Sequence, residues 1–250
     1  MALQEELEKQ GVWLFRYRGV LPMVILAIGA ILYLRSQFYP HLYFLQNVRY
    51  EFYFEMLCLA ISLGGLAIRI YTVGNTPKNT SGRNVKEQVA DELNTTGIYS
   101  IVRHPLYLGN FFIWLGPAIL TGHFWFVIAF CLFYWVYYER IMFAEEQFLR
   151  RKFGVKYQEW AAKTPAFFPN FSLFKKSTLS SSWKKVLKKG KNVLAGIFLL
   201  FTIFDLACGL MDKTHQINYF LLSACLLTGV MYAILKYLKK KTTVLDEDGR

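Results

Sequence analysis

Six apolar stretches constrain this 250-residue chain more than any other feature. They run Gly19–Leu34, Phe52–Tyr71, Pro105–Leu120, Phe124–Tyr138, Val193–Met211 and Ile217–Leu235. A helix needs about 20 mostly apolar residues to cross a bilayer. Inside hydrocarbon every backbone polar group must be bonded within the segment, which leaves helices as the form for such runs. The expected fold class is therefore all-α: a polytopic membrane protein with about six transmembrane helices. Only Thr121, Gly122 and His123 separate the short third and fourth stretches, so these two form a tight central hairpin. Composition points the same way. Charged residues make up 18% of the chain, against about 25% in a soluble domain. That deficit excludes a disordered tail and most water-exposed enzymes. Cys58, Cys131, Cys208 and Cys225 lie in apolar runs without CxxC spacing, so neither a disulfide module nor a zinc domain is expected. His41, His104, His123 and His215 are scattered, and no metal site is expected from them.

The net charge of +12 could signal nucleic acid or an anionic membrane. Its distribution decides. With the N-terminus inside and six alternating spans, the outer loops hold only Arg35, Arg49 and Lys213 of the 29 basic residues. This is the positive-inside pattern. Both termini are expected in the cytoplasm, with a bacterial inner membrane as the location and anionic inner-leaflet lipids as partners. Nucleic acid is not an expected partner. The first 18 residues carry charges at Glu5, Glu6, Glu8, Lys9, Arg16 and Arg18, and no signal-peptide core. They read as an interfacial amphipathic helix, with Trp13, Leu14 and Phe15 at the membrane surface. Residues 19–73 then hold the first two spans, and 74–174 a catalytic core around the hairpin. Residues 175–192 form a basic linker, with Trp183, Val186 and Leu187 touching lipid or the whole stretch solvated. Residues 193–250 hold the last two spans and a basic tail.

Two long inner segments, Gly74–His104 and Glu139–Asn192, meet at the cytoplasmic mouth of the hairpin. The first ends in Arg103-His104-Pro105, at the start of a membrane helix where free backbone N–H groups and a positive dipole end favour anions. The bland alternative is an arginine snorkelling to the interface. Gly109, one turn further, permits close approach of a helix or a ligand. The second segment carries Glu145-Glu146. Adjacent carboxylates on a helix point about 100° apart, so one can face a pocket while the other pairs outward. A Glu146–Arg150 surface pair at i,i+4 is the bland alternative. An anion site beside carboxylates suits a zwitterionic or cationic ligand, and ionisable groups at this depth are functional candidates.

The pattern Gly97-x-Tyr99-x3-Arg103-His104-Pro105-x-Tyr107-x-Gly109, then Glu145-Glu146, Phe153-Gly154, Tyr157 and Pro165, resembles the isoprenylcysteine carboxyl methyltransferase and phospholipid methyltransferase family. The resemblance spans Gly97–Pro169, about a third of the chain. Thr80–Asn84 and Leu93–Thr96 further resemble the bacterial branch that methylates a lipid A phosphate. The family resemblance implies an integral-membrane enzyme using S-adenosylmethionine in a helical pocket open to the cytosol, with a lipid or lipidated substrate entering laterally. It implies His104, Tyr107, Gly109, Glu145, Glu146 and Tyr157 as cofactor-binding residues. It further implies Arg103 and Glu146 as catalytic, with Arg103 positioning an anionic nucleophile. A carboxylate or phosphate is already ionised near neutral pH and needs alignment and desolvation more than a base. An amine would need a base. O-methylation of an acidic group is thus the expected reaction. The alternatives are N-methylation of a phospholipid amine, an NADPH-dependent sterol-type reductase, or a non-catalytic scaffold.

Overall fold

A computed structural model describes residues 2–38, 48–77, 89–211 and 216–247. The Thr80–Asn84 motif, His41, His215 and Lys213 lie outside the described residues. Among the described residues the architecture is helical: α1 (Leu3–Arg16), α2 (Val20–Phe38), α3 (Val48–Gly74), α4 (Pro105–Leu120), α5 (Phe124–Phe153), α6 (Val155–Lys163), α7 (Trp183–Met211) and α8 (Tyr219–Lys241). Four helices are long and apolar enough to cross a membrane: Phe52–Gly74, Phe124–Phe153, Trp183–Leu210 and Tyr219–Lys241. Pro22–Arg35 and Pro105–Leu120 are apolar but shorter. Large apolar side chains point outward along these helices, including Trp125, Leu132, Leu199, Leu210 and Leu227. Such exposure is costly in water and natural against lipid.

The centre is the crossing of α3 and α4, and small residues make it possible. A Cβ on Gly65 would lie 2.5 Å from the Gly109 carbonyl oxygen, and one on Gly109 2.8 Å from that of Gly65. A Cβ on Gly116 would meet Ser62 Oγ at 2.1 Å. Backbones this close are the usual means of helix association in lipid, where burial alone drives little. Ser62 Oγ donates to the Ile113 carbonyl at 3.0 Å across the same contact. The hairpin to α5 turns on Gly122, whose φ of 67° lies in the left-handed region.

Two expectations about the periphery change. The N-terminal amphipathic helix forms, but α1 is seated on α5. A Cβ on Gly11 would lie 2.1 Å from the Arg140 carbonyl oxygen. Phe15 is buried, Tyr137 Oη donates to the Leu14 carbonyl at 3.1 Å, and Arg151 pairs with Glu8 at 2.6 Å. The basic stretch 175–192 is not a linker throughout, because α7 begins at Trp183 and continues without a break into the fifth apolar run. Lys185 is buried and its ammonium donates to the Thr76 and Pro77 carbonyls just past the end of α3. Unsatisfied carbonyls at a helix C-terminus attract a lysine in this way.

Candidate active site

The loop entering α4 is fixed by the chain that follows α6. Arg103 N donates to the Pro165 carbonyl at 2.9 Å, His104 N to Ala166 at 3.2 Å, and Asn170 N to Ile101 at 3.0 Å. Gly97 N donates to Lys175 at 2.8 Å, forming an isolated antiparallel bridge. Trp160 Nε1 reaches the Tyr99 carbonyl at 3.1 Å. Gly97 and Gly154 both adopt positive φ, 61° and 54°. Gly97 opens the turn before Arg103, and Gly154 breaks α5 from α6. Gly97 and Gly154 therefore stand where an L side chain would be strained.

This framework brings the two motifs together. Arg103 Nη1 donates to Glu146 Oε2 at 2.8 Å. His104 Nε2 lies 2.9 Å from Glu146 Oε1, and its Nδ1 lies 3.6 Å from Glu145 Oε2. Tyr107 Oη donates to Glu145 Oε1 at 2.7 Å. Tyr134 Oη in turn holds the Tyr107 carbonyl at 2.7 Å. The imidazole is thus clamped between both carboxylates, one at each ring nitrogen. Its pKa reflects a contest. Burial disfavours the imidazolium; hydrogen bonds to Glu145 and Glu146, followed by their charges, outweigh it and raise the value above 6.5. Tyr157 is kept as a neutral phenol, by burial first and then by the Glu146 charge. Glu146 pairs with Arg103, not along its own helix with Arg150.

A cavity of about 760 Å³ opens beside this cluster. Ligand sites commonly hold 300–1,000 Å³, about the same scale. Arg103, His104, Tyr107 and Glu145 are on its wall, whereas Glu146, Tyr157 and Gly109 are not. Glu146 instead holds Arg103 and His104 from behind, and Gly109 serves the crossing with α3. Further charged and polar groups line the same cavity: Arg18, Arg69, Glu92, Asn94, Asn110 and Lys189. Arg69 Nη1 donates to Asn110 Oδ1. Away from the charged end the wall becomes apolar, with Leu26, Leu66, Ile113, Trp114, Ile197 and Leu200.

Sequence reasoning did not find Arg69, Trp160 or the contribution of α7, and it named Tyr99 only as part of the family pattern. The signal for Arg69 was present, since a lone arginine inside an apolar run is costly without a task. The contact of the Trp160 side chain with the Tyr99 carbonyl depends on loop pairing that no periodicity reveals.

The residues present fit S-adenosylmethionine, which carries a sulfonium, an ammonium and a carboxylate. Glu145 offers a carboxylate on the cavity wall. Arg103 Nε and Tyr157 Oη are buried behind the wall, with Tyr157 in reach of both Arg103 and Glu146.

The geometry defines a class: a multi-pass helical protein whose central cavity is charged at one end and apolar at the other. Residues 56–156 match the phospholipid methyltransferase family model. The chain is 36% identical over 96 residues to the protein-S-isoprenylcysteine O-methyltransferase of Schizosaccharomyces pombe, covering 36% of this chain and 40% of that one. It is 34% identical over 117 residues to a nickel-cobalt-cadmium resistance protein of Alcaligenes xylosoxydans, covering 46% and 52%. Protein-S-isoprenylcysteine O-methyltransferase B of Arabidopsis thaliana is 35% identical over 98 residues, covering 36% and 49%. The matches span about half the length of these curated relatives. No solved structure matches. The likeness to the phospholipid methyltransferase family model and to isoprenylcysteine O-methyltransferases covers the segment that builds the charged cluster, about two fifths of the chain.

Proposed function

We propose that this protein is a membrane methyltransferase that moves a methyl group from S-adenosylmethionine to an acidic oxygen, phosphate or carboxylate, of a lipid or lipidated acceptor. The observation that carries this reading is the clamp of His104 between Glu145 and Glu146 at the charged end of a cavity whose other end is apolar. When bound, S-adenosylmethionine supplies an electrophilic methyl carbon on a sulfonium. Glu145 and Tyr107, both on the cavity wall, would hold it there, with Glu145 supplying the negative charge that favours a cation. Tyr157, behind the wall, adds a buried donor.

Arg103 aligns the nucleophile. Its Nη1 is tied to Glu146, which fixes the guanidinium plane at the cavity wall. A fixed guanidinium edge recognises carboxylate or phosphate with directional bonds. An ionised acceptor also agrees with the state of His104. Both of its ring nitrogens face carboxylates, so neither is free to take a proton from an amine acceptor. Catalysis then rests on orientation and exclusion of water. The cavity mouth and both termini belong on the cytoplasmic side in this reading, supported by the three outer basic residues against the rest.

Incubating the purified protein with radiolabelled S-adenosylmethionine and total bacterial lipid tests the reading. It expects label in an acid-bearing lipid or lipidated fraction and a mass gain of one methylene. Label in an ethanolamine headgroup would place it among amine methyltransferases instead.

A further inference from the structure

Between Glu55 and Gly74, α3 carries one charged residue, Arg69. It lies about 7 Å inside the end of the apolar span Phe52–Gly74, at a rise of about 1.5 Å per residue. An arginine at that depth is costly without a task. Two successive residues of α4 accommodate it. A Cβ on Gly109 would lie 2.7 Å from Arg69 Cγ, so the missing side chain lets the arginine stem pass. Asn110 then accepts from Arg69 Nη1 through its Oδ1, and both residues line the cavity. A tie between α3 and α4 does not require a charge. Ser62 makes one at the same crossing with a hydroxyl, and it is not on the cavity wall.

Position and charge say what Arg69 meets. Along α4, Tyr107, Asn110, Trp114 and Pro117 line the cavity at successive turns. Asn110 and Arg69 thus stand one turn beyond Tyr107, where the wall passes from charged to apolar. The wall carries Arg18, Arg69, Arg103 and Lys189 against Glu92 and Glu145. S-adenosylmethionine has a net positive charge and adds to that imbalance. A cavity that holds it calls for an anion, and the attraction is strong where water is scarce.

We propose that Arg69 is an acceptor-binding residue: it holds an anionic headgroup oxygen that does not receive the methyl group, and Asn110 is its positioning residue. Arg103 aligns the oxygen that reacts, and Arg69 the oxygen that stays. A phosphate or a carboxylate has both. A guanidinium carries five N–H donors in a planar fork suited to such oxygens. Methyl transfer lowers the negative charge of the headgroup by one, which weakens this contact and favours release of the product. The proposal rests on the methyltransferase reading for the identity of the acceptor, but the anion contact is tested separately.

The test uses the full chain in a neutral detergent, titrated with dodecyl phosphate and with its methyl ester, and read by native mass spectrometry. Calorimetry on the same samples measures S-adenosylmethionine affinity, and thermal unfolding reports the fold. Wild type should prefer dodecyl phosphate to the methyl ester by about threefold or more. Arg69→Gln should weaken dodecyl phosphate binding by about tenfold, the scale of one charge-assisted hydrogen bond, and erase that preference. Its affinity for S-adenosylmethionine should stay within about threefold of wild type. Asn110→Ala should shrink the preference, and the double variant should bind no more weakly than Arg69→Gln, since a positioning residue acts only through the group it positions. A mere tie between helices would lower the melting temperature and leave the preference intact. Unchanged dodecyl phosphate affinity in Arg69→Gln overturns the proposal. So does a tenfold loss of S-adenosylmethionine affinity there, which would assign Arg69 to the cofactor carboxylate. If Arg69→Gln does not fold, Asn110→Ala decides, and an unaltered preference between the two probes overturns the proposal. A wild type that binds dodecyl phosphate through Arg69 but not S-adenosylmethionine would instead overturn the methyltransferase reading and leave the anion contact standing.

Discussion

The two ends of the cavity are built by different means. At the charged end, few residues carry the geometry and each has a named partner. Arg103, His104, Tyr107, Glu145 and Glu146 form one connected set of ion pairs and hydrogen bonds, pinned through the Pro165 and Ala166 carbonyls. At the apolar end, many interchangeable side chains from α2, α3, α4 and α7 supply shape without directional bonds. Directional networks lose function when one member changes, because the partners left behind stay buried and unsatisfied. Apolar walls respond to volume. The charged end also falls inside or beside the family segment 56–156, and much of the apolar wall falls outside it. Relatives sharing the first end can therefore differ at the second.

Substitutions can break this contrast in order of effect. Gly65→Val should damage both ends together. The crossing of α3 and α4 has no room for a side chain where a Cβ already lies 2.5 Å from the Gly109 carbonyl oxygen. Overpacking of this kind costs about 1–3 kcal/mol and sometimes more. Thermal unfolding in detergent should report the loss, and a melting temperature equal to wild type would show that the crossing yields easily.

Arg103→Lys should injure the charged end alone. Lysine keeps the charge and loses the fork, so turnover should fall by about 2–4 kcal/mol of transition-state stabilisation. Affinity for S-adenosylmethionine should stay within a few-fold. Measuring both on one preparation separates the roles. A parallel loss of cofactor affinity would assign Arg103 to the cofactor carboxylate, and full activity would reduce it to a membrane anchor.

A smaller effect sharpens the contrast through pH. His104 has a folded-state pKa above its ordinary 6.5. Its contribution to stability is complete below that ordinary value and is lost as pH rises through the raised one. Thermal stability measured from pH 5 to 9 should decline across that window in wild type, with the decline reduced in His104→Gln. Equal pH profiles would mean that the imidazole is not charged between its carboxylates.

How much of this was legible before folding differs between the same two ends. Arg103, His104, Glu145 and Glu146 stand out in sequence because ionisable residues are rare near a membrane and need partners. Their pairing across about forty residues was suggested by the family resemblance. The division of labour between Glu145, on the wall, and Glu146, behind it, required the positions of α4 and α5. Gly109 illustrates the ambiguity of small residues: the sequence permits either a ligand or a helix beside it, and α3 occupies that place. The face of α7 was not legible, since a helix apolar all round has no polar side from which to orient it. The start of α7 was missed because lysines at Lys184, Lys185, Lys188 and Lys189 resemble a solvated linker, although Lys185 is buried at the end of α3.

The central claim is that the charged end binds S-adenosylmethionine through Glu145 on the wall, with Glu146 fixing Arg103 and His104 behind it. Calorimetric titration of S-adenosylmethionine, and of NADPH as a control, into wild type, Glu145→Gln and Glu146→Gln tests it most directly. Wild type should bind S-adenosylmethionine and not NADPH. Each variant should remain folded and bind the cofactor more weakly, by about 1–3 kcal/mol, the range for stranding a buried polar partner. Unchanged affinity in both variants would contradict the account and remove these carboxylates from the site.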